Sequence, residues 1–290
     1  MNSLNKSSQS HLKKPAWLKI NLPKAGEYAY LKEYLSRYNL HTICESGNCP
    51  NLGECWQNRT ATFMILGDIC TRSCGFCAVR TGSPMPPDIQ EPQRVAEVIR
   101  EMKIKHCVIT SVDRDDLVDG GSEIWALTVD TIKSLNPETT IETLIPDFKG
   151  DKKSLQKIIN ARPDIISHNL ETVSRLTKEV RKKAIYERSL EVLKFISATG
   201  TTTKSGIMVG LGETGEEVNS TMDDMLQAGC SIITIGQYLQ PSKHHLPVSR
   251  YVPPEEFEQF KVSALEKGFH FAECGPLVRS SYHAEKQIIC

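Results

Sequence analysis

Short apolar segments alternate with amphipathic ones along most of the chain, and this alternation limits the fold more than any other feature. The predicted strands are Thr62–Leu66, Cys107–Val112, Thr140–Ile145, Asp164–Leu170, Ser205–Val209, Ser231–Ile235 and Phe269–Ala272. The predicted helices are Arg94–Met102, Glu123–Leu135, Lys152–Ala161, Val173–Lys182, Ile185–Ala198, Glu216–Ala228 and Pro254–Lys267. This order predicts an α/β fold with a parallel sheet, and six or seven βα units favour a partial (β/α)6-type TIM barrel. Its functional residues are then expected at the C-terminal ends of the strands.

Charge and hydropathy exclude several classes of partner. The 35 Lys and Arg residues balance 35 Asp and Glu residues, whereas proteins that bind nucleic acid usually carry a basic excess. No run of 18 apolar residues is present, so no membrane span is expected. The segment 1–14 is polar and lacks the apolar core of a secretory signal, which favours a disordered tail on a cytoplasmic protein.

Ten cysteines are present, and six of them fall between Cys44 and Cys77, which favours metal binding in a cytoplasmic protein. Cys70, Cys74 and Cys77 form a C-x3-C-x2-C triplet directly after the first predicted strand. Thiolates are the usual ligands of iron–sulfur clusters, and three of them on a [4Fe–4S] cluster leave one iron open to a small molecule. The alternatives are buried free thiols or a zinc site, although zinc usually takes four ligands in pairs.

This triplet, with Phe76 before its third cysteine and a βα barrel after it, resembles the signature of the radical S-adenosylmethionine (SAM) superfamily. The resemblance implies that the open iron binds the amino and carboxylate groups of SAM. It also implies that an electron from the cluster cleaves SAM to methionine and a 5′-deoxyadenosyl radical.

A second triplet, Cys44, Cys49 and Cys55, precedes the barrel with the spacing C-x4-C-x5-C. It resembles the lipoyl synthase family, as does the stretch Arg279–Ala284, which reads R-S-S-Y-H-A. The resemblance implies that the three cysteines hold an auxiliary [4Fe–4S] cluster. It implies a serine as the fourth ligand, assigned to Ser281 with Ser280 as the fallback. The alternative is a small zinc knuckle, which the neutral net charge and the lack of a histidine between the three cysteines disfavour.

Several positions are candidates for binding SAM by resemblance to the superfamily. They are Asp119, Gly120 and Gly121 as a glycine motif, Asn169 and Glu171 after the fourth strand, Gly206 and Gly210 on the fifth, and Arg188 for the SAM carboxylate. Glycines let the backbone approach a ligand closely. The alternatives are a simple turn for the glycine motif, a helix cap for the pair after the fourth strand, and an ordinary surface position for the arginine.

The family resemblance implies a tail at 1–14, an extension at 15–60 that binds the auxiliary cluster, a barrel at 61–275 and a C-terminal segment at 276–290. It implies sulfur insertion at C6 and C8 of a protein-bound octanoyl-lysine, with the auxiliary cluster as the sulfur source. The implied partners are 2-oxoacid dehydrogenase E2 subunits or the glycine cleavage H protein. An electron donor such as ferredoxin or flavodoxin and an iron–sulfur carrier for cluster renewal are also implied.

Two other functions compete with this interpretation. A methylthiotransferase of the same superfamily would be expected to carry an additional RNA-binding or flavodoxin-like domain, for which 290 residues leave no room. An iron–sulfur electron carrier or a zinc-binding interaction module would not need a large barrel, and binding of SAM would distinguish it from an enzyme.

Overall fold

An eight-stranded sheet is the centre of the computed structural model, which describes residues 13–18, 33–46, 49, 51 and 60–287. Its strands are β1 (His41–Thr42), β2 (Thr60–Ile65), β5 (His106–Ser111), β6 (Thr140–Leu144), β7 (Ile165–Ser167), β8 (Thr203–Val209), β9 (Ile232–Gln237) and β10 (Phe271–Gly275), in that order, and β3 (Ile69–Cys70) pairs separately with β4 (Arg80–Thr81). Strand β1 is antiparallel to β2, and every other pairing is parallel. The predicted α/β barrel is therefore confirmed.

Six helices connect successive parallel strands of the sheet. They are α2 (Glu91–Glu101), α3 (Ser122–Leu135), α4 (Lys152–Asn160), α6 (Tyr186–Ser197), α7 (Gly215–Gln227) and α8 (Pro254–Lys267), while α1 (Ile43–Ser46) and α5 (Thr177–Val180) are single turns. Parallel neighbours need such crossovers, which place helices on the outer face of the sheet. Residues 33–37 are also helical. In the described ranges no helix is long and apolar enough to cross a membrane.

The fourth predicted strand and the helix after it are shorter than the sequence indicated. Strand β7 covers only Ile165–Ser167, and the helix predicted over Val173–Lys182 reduces to the 3-10 turn Ser174–Leu176 and α5. Regular pairing with β8 ends at Ser167 and resumes at Glu171, which forms an isolated bridge with Ile207 and whose N–H donates to the Gly206 carbonyl at 3.0 Å. Glu171 has φ of +67°, a conformation that is strained for a residue with a side chain.

A charged pair lies in the interior of the barrel. Lys204 of β8 donates to Glu142 of β6 with an Nζ–Oε2 distance of 2.9 Å, and both side chains are completely buried. Ser167 of β7 donates to the other carboxylate oxygen at 2.6 Å. Burying charge is costly unless it is paired and hydrogen-bonded, and here each oxygen has a partner. The network therefore fixes three neighbouring strands at one level.

Candidate active site

The first cysteine triplet lies in a loop closed by two short strands. Cys70 ends β3, and the pairing of β3 with β4 brings the two ends of the loop together. The Cys70 thiol accepts from the backbone N–H groups of Arg72 and Asp113 at 3.4 and 3.3 Å. Thr71 N–H donates to the Asp113 carbonyl at 3.0 Å, so the loop is fastened to the chain just after β5. The triplet therefore lies at the C-terminal edge of the barrel, as predicted.

The thiols of this triplet are partly buried and lie close enough to influence one another electrostatically. Burial raises the pKa of Cys74 to about 12 and that of Cys77 to about 11, and the charge of Cys70 adds to the shift at Cys77. Burial likewise raises the pKa of Cys70. At neutral pH these thiols hold their protons unless a metal displaces them, as metals do when they bind cysteine.

The arrangement of these thiols separates a cluster from a zinc ion. Within the described residues, no three His, Cys, Asp or Glu side chains converge on one point as a single metal ion requires. A zinc ion needs that convergence because Zn–S bonds are about 2.3 Å long. An iron–sulfur cube distributes its thiolates over separate irons, so its ligands need only border a common space. The residues present therefore fit a cluster.

A buried arginine inside the loop locks the triplet onto the barrel. The Arg72 guanidinium lies 3.3 Å from a carboxylate oxygen of Asp113, 2.8 Å from one of Asp115 and 2.7 Å from one of Asp147. Burial is the largest single effect and raises the pKa of Asp147, but the hydrogen bond and the charge of Arg72, with smaller contributions, together lower it to about 2. Sequence reasoning missed this network, although an arginine inside the triplet and aspartates just after two strands were its visible signals.

The second triplet is partly described. Cys44 lies buried in α1, and Cys49 N–H donates to the Cys44 carbonyl at 2.9 Å. A hydrogen bond with the Cys44 thiol lowers the pKa of Cys49 to about 7 against the opposing effect of burial, and the Arg279 cation contributes to the lowering. These two thiols are therefore adjacent, as predicted. Cys55 lies outside the described residues.

The C-terminal segment 277–281 packs between the second triplet and the barrel. Asn51, near Cys49, donates its amide to the Leu277 carbonyl at 2.6 Å. The Val278 carbonyl lies so close to Gly236 of β9 that a β-carbon there would collide with it. Arg279 donates to the Val278 and Gln237 carbonyls at 2.7 and 3.4 Å. The predicted R-S-S-Y motif is thus brought to the Cys49 end of the site.

Of the residues predicted to bind SAM, Asn169 contacts the R-S-S-Y motif and Glu171 contacts Asn169. Asn169 donates through Nδ2 to Glu171 at 3.0 Å and to the Ser280 hydroxyl at 2.6 Å. Its Oδ1 is buried and has no hydrogen-bond partner among the described residues. Burial raises the pKa of Glu171, although the attraction of Arg181 opposes the shift. Since buried acceptors are normally satisfied, the orphaned Oδ1 fits a ligand that brings hydroxyl or ammonium donors.

Gly206 keeps open the space beside this orphaned oxygen. A β-carbon at Gly206 would collide with the Thr234 hydroxyl and lie 3.2 Å from Asn169 Oδ1. A glycine on β8 leaves room there for a close approach to the strand, and the predicted contact of Gly206 with SAM stays a prediction.

Replacing Gly206 by alanine is expected to weaken SAM binding by about fivefold or more, because overpacking of this kind costs about 1–3 kcal/mol. Equilibrium dialysis of SAM against the reconstituted protein measures the effect. Gly215→Ala is the matched control, since a β-carbon there meets nothing within 4 Å. Equal SAM affinities for the two variants would contradict the placement of SAM beside Gly206.

The other predicted SAM residues make contacts within the protein. The Asp119 carboxylate accepts from the backbone N–H groups of Gly121 and Glu123 at 3.0 and 2.9 Å and therefore caps α3. Gly120 and Gly121 have φ of +61° and +86°, and β-carbons there would press on Phe148 and Leu66. Residues 119–121 therefore form the simple turn that was the alternative interpretation of the glycine motif. Their contact with SAM stays a prediction.

Gly210 and Arg188 are also engaged by protein groups. Gly210 N–H donates to Glu213 at 2.6 Å, and a β-carbon there would collide with the Gln237 amide. The Arg188 guanidinium lies 3.3 Å from Asp147. Both residues are thus used in supporting the loops around the site, and their predicted contacts with SAM stay untested.

Arg181 was missed by sequence reasoning. Its buried guanidinium donates to the carbonyls of Asn169 and Leu170 at 3.0 and 3.3 Å. Its positive charge lowers the pKa of Cys74 against the larger effect of burial. Arg181 is thus the buried cation beside both the first triplet and Glu171. It lies in the basic stretch Lys178–Lys183, whose composition alone gave no sign of burial.

Comparison with known proteins agrees with this geometry. The family model "N-terminal domain of lipoyl synthase of Radical_SAM family" matches residues 1–49, and that of the Radical SAM superfamily matches residues 64–225. The chain is 59% identical over 277 residues to a lipoyl synthase of Flavobacterium psychrophilum, covering 95% of this chain and 96% of the relative. It is 59% identical over 276 residues to a mitochondrial lipoyl synthase of Nematostella vectensis, covering 95% of each.

Solved structures share the fold at low sequence identity. Methylornithine synthase superposes with a TM-score of 0.51 at 13% identity, covering 74% of this chain and 70% of that one. Streptococcus suis SuiB bound to S-adenosylmethionine gives 0.56 at 12% identity, covering 88% of this chain and 57% of that one. These likenesses support the barrel alone.

Proposed function

Since the chain belongs to the lipoyl synthase family of the radical SAM superfamily, we infer that it inserts two sulfur atoms into a protein-bound octanoyl chain. The product is a lipoyl group, with sulfur at C6 and C8 of the former octanoyl chain. The observation that carries this inference is the segment 277–281, which joins the Cys49 end of the site to Asn169 at the barrel mouth. The segment thereby connects the part of the site proposed for the auxiliary cluster with the part proposed for SAM.

Two [4Fe–4S] clusters and SAM are the cofactors of this reaction. We assign one cluster to Cys70, Cys74 and Cys77, and the auxiliary one to Cys44, Cys49, Cys55 and Ser281. When bound, the first cluster with SAM supplies a 5′-deoxyadenosyl radical, and the auxiliary cluster supplies sulfur. Such cofactors are needed because the octanoyl carbons have no acidic proton and no leaving group.

The protein's own residues place and protect this chemistry. Arg72 fixes the first triplet against the barrel through three carboxylates, while Gly206 leaves room for SAM beside Asn169. Helices on the outside and buried strands within the barrel exclude water and other hydrogen donors from the reacting carbon. In this proposal the domain limits are those of the sequence, with the auxiliary cluster in 15–60 and 276–290.

We propose Arg181 rather than Arg188 as the group that attracts the SAM carboxylate. Arg181→Gln is expected to weaken SAM binding by about tenfold or more, because hydrogen bonds to charged groups contribute about 1.5–3 kcal/mol. Arg188→Gln serves as the matched control and is expected to change the affinity less than about twofold, since Arg188 faces Asp147. Equilibrium dialysis of SAM measures both, and the reverse order of effects would return the role to Arg188.

The protein substrate is a lipoyl-carrier protein bearing an octanoyl group. More specifically, we propose E2 subunits of 2-oxoacid dehydrogenases or the glycine cleavage H protein as this carrier. We also propose a ferredoxin or flavodoxin as the electron donor and an iron–sulfur carrier that renews the auxiliary cluster.

The function is tested by mixing anaerobically reconstituted protein with SAM, dithionite and an octanoyl-lysine peptide. The expected result is a dihydrolipoyl peptide whose mass has gained two sulfur atoms, with two 5′-deoxyadenosine molecules formed for each peptide converted. An octanoyl-free control, the unmodified lysine peptide, should gain no sulfur. Cleavage of SAM without sulfur transfer to the octanoyl peptide would contradict lipoyl synthase activity and leave an unassigned radical SAM enzyme.

A further inference from the structure

The geometry points to Ser280 as a positioning residue that couples SAM binding in the barrel to the auxiliary-cluster end of the site. This inference rests on the proposed function and adds a role that differs from iron ligation. It concerns the hydrogen bond between the Asn169 amide and the Ser280 hydroxyl, whose heavy atoms are 2.6 Å apart.

The backbone of Asn169 is fixed by a hydrogen bond, so its side-chain amide is the part that can bond to a ligand. Its carbonyl accepts from the Arg181 guanidinium at 3.0 Å, which fixes the backbone. Its Nδ2 group donates both to Ser280 and to Glu171, while Oδ1 is buried and unpartnered in the described structure. That oxygen lies 3.2 Å from where a β-carbon of Gly206 would be, so it borders the space proposed for SAM.

Ser280 is connected on its other side to the second triplet. Three residues before it, the Leu277 carbonyl accepts from Asn51 at 2.6 Å. The preceding residue, Arg279, donates to the carbonyls of Val278 and Gln237, which holds this segment against β9. The following residue is Ser281, the proposed iron ligand. A displacement of Ser280 therefore reaches the Cys49 end of the site through its own backbone neighbours.

The direction of the coupling follows from hydrogen-bond polarisation. A donor of SAM that bonds to Asn169 Oδ1 polarises the amide and strengthens the N–H···O bond to Ser280, since linked hydrogen bonds reinforce one another. Binding of SAM then stabilises the position of the segment 277–281. Conversely, when the auxiliary cluster fixes this segment, Ser280 holds the Asn169 amide in the orientation that binds SAM. Because such coupling is reciprocal, either event favours the other by the same factor. A factor of about five corresponds to one hydrogen bond of ordinary net strength.

The experiment measures the dissociation constant of SAM by equilibrium dialysis in two reconstituted forms. One is the wild type with both clusters, and the other is the Cys44→Ala/Cys49→Ala/Cys55→Ala variant, which keeps only the Cys70 cluster. The ratio of the two constants is the coupling factor, expected to be about fivefold. In a Ser280→Ala background the ratio is expected to fall to about one, and Ser280→Thr, which keeps the hydroxyl, should restore it.

Ser263→Ala is the matched control because Ser263 makes a serine–asparagine hydrogen bond of the same length, 2.6 Å, to Asn219 between α8 and α7. It should leave the coupling factor at its wild-type value. Iron is counted in every variant, and Ser280→Ala is expected to retain both clusters.

A wild-type ratio near one, or a fivefold ratio that survives Ser280→Ala, would overturn the inference. Loss of the auxiliary iron in Ser280→Ala would also overturn it, because Ser280 would then be the iron ligand. In each of these cases continued formation of lipoyl peptide by the wild type would show that the proposed function stands. Failure of the wild type to bind SAM at all would contradict both this inference and the proposed function.

Discussion

Simultaneous replacement of Cys44, Cys49 and Cys55 by alanine is expected to abolish sulfur insertion while leaving SAM cleavage intact. The iron content of the reconstituted protein should fall from about eight to about four per chain, since each [4Fe–4S] cluster carries four irons. The first triplet should keep its cluster because the loop after β3 is fastened to Asp113 and contains none of the replaced residues. Iron and sulfide analysis, 5′-deoxyadenosine formation and the mass of an octanoyl-lysine peptide measure the three effects.

Cys107→Ala/Cys230→Ala is the control for this experiment. Both residues are free, fully or almost fully buried cysteines on or beside strands, away from the two triplets. Free cysteine in such places behaves as a small apolar residue, so this variant should keep about eight irons and its sulfur insertion. An auxiliary-triplet variant that lost no iron, or that still produced lipoyl peptide, would refute the division of labour between the two triplets.

Lys204→Met is expected to lower the free energy of unfolding by about 3–5 kcal/mol, because it leaves the buried Glu142 carboxylate without its cation. Both side chains are completely buried, so water cannot take over the lost interaction. Ser167 would still donate to Glu142, but one hydroxyl cannot replace the ammonium. Urea unfolding of the reconstituted protein, followed by far-UV circular dichroism, gives the change from the shift in midpoint.

Two further variants distinguish a buried charge from a lost contact. Glu142→Leu/Lys204→Met removes both charges and should recover much of the loss, since a buried pair is often replaceable by apolar residues. Lys267→Met is the surface control: its ion pair with Asp223 is also short, 2.6 Å, but both side chains are partly exposed. It should cost less than about 1 kcal/mol. A similar cost for Lys204→Met would mean that the interior pair is hydrated or easily replaced.

The sequence alone determined the class of fold and showed where its cysteines are grouped. The helix Pro254–Lys267 was predicted at both ends, because a proline begins it and Gly268, with φ of +113°, ends it. The cysteine triplets were visible because their members lie within a few residues of one another. Information of this kind is local: hydrophobic periodicity and ligand spacing are properties of neighbouring residues.

Only the tertiary structure determined which residues hold the site together through hydrogen bonds and ion pairs. Asn169 and Ser280 are 111 positions apart, and Arg72 reaches Asp147 across 75 positions. Nothing near either residue in the chain shows which partner it will meet. The pairing of the strands brings those positions together. It also places Arg188 beside Asp147 and buries Arg181.

The difference between local sequence information and tertiary contacts also explains why the fourth strand was predicted too long. The apolar pattern of Asp164–Leu170 continues past Ser167, but the regular ladder does not, and pairing with β8 returns only at Glu171. Apolar residues are buried in either conformation, so periodicity cannot show where pairing stops. The sequence specified which segments become strands and which cysteines lie close together in the chain. Packing of the barrel sheet decided which charged and polar side chains meet at its mouth, since those contacts depend on every strand being in place.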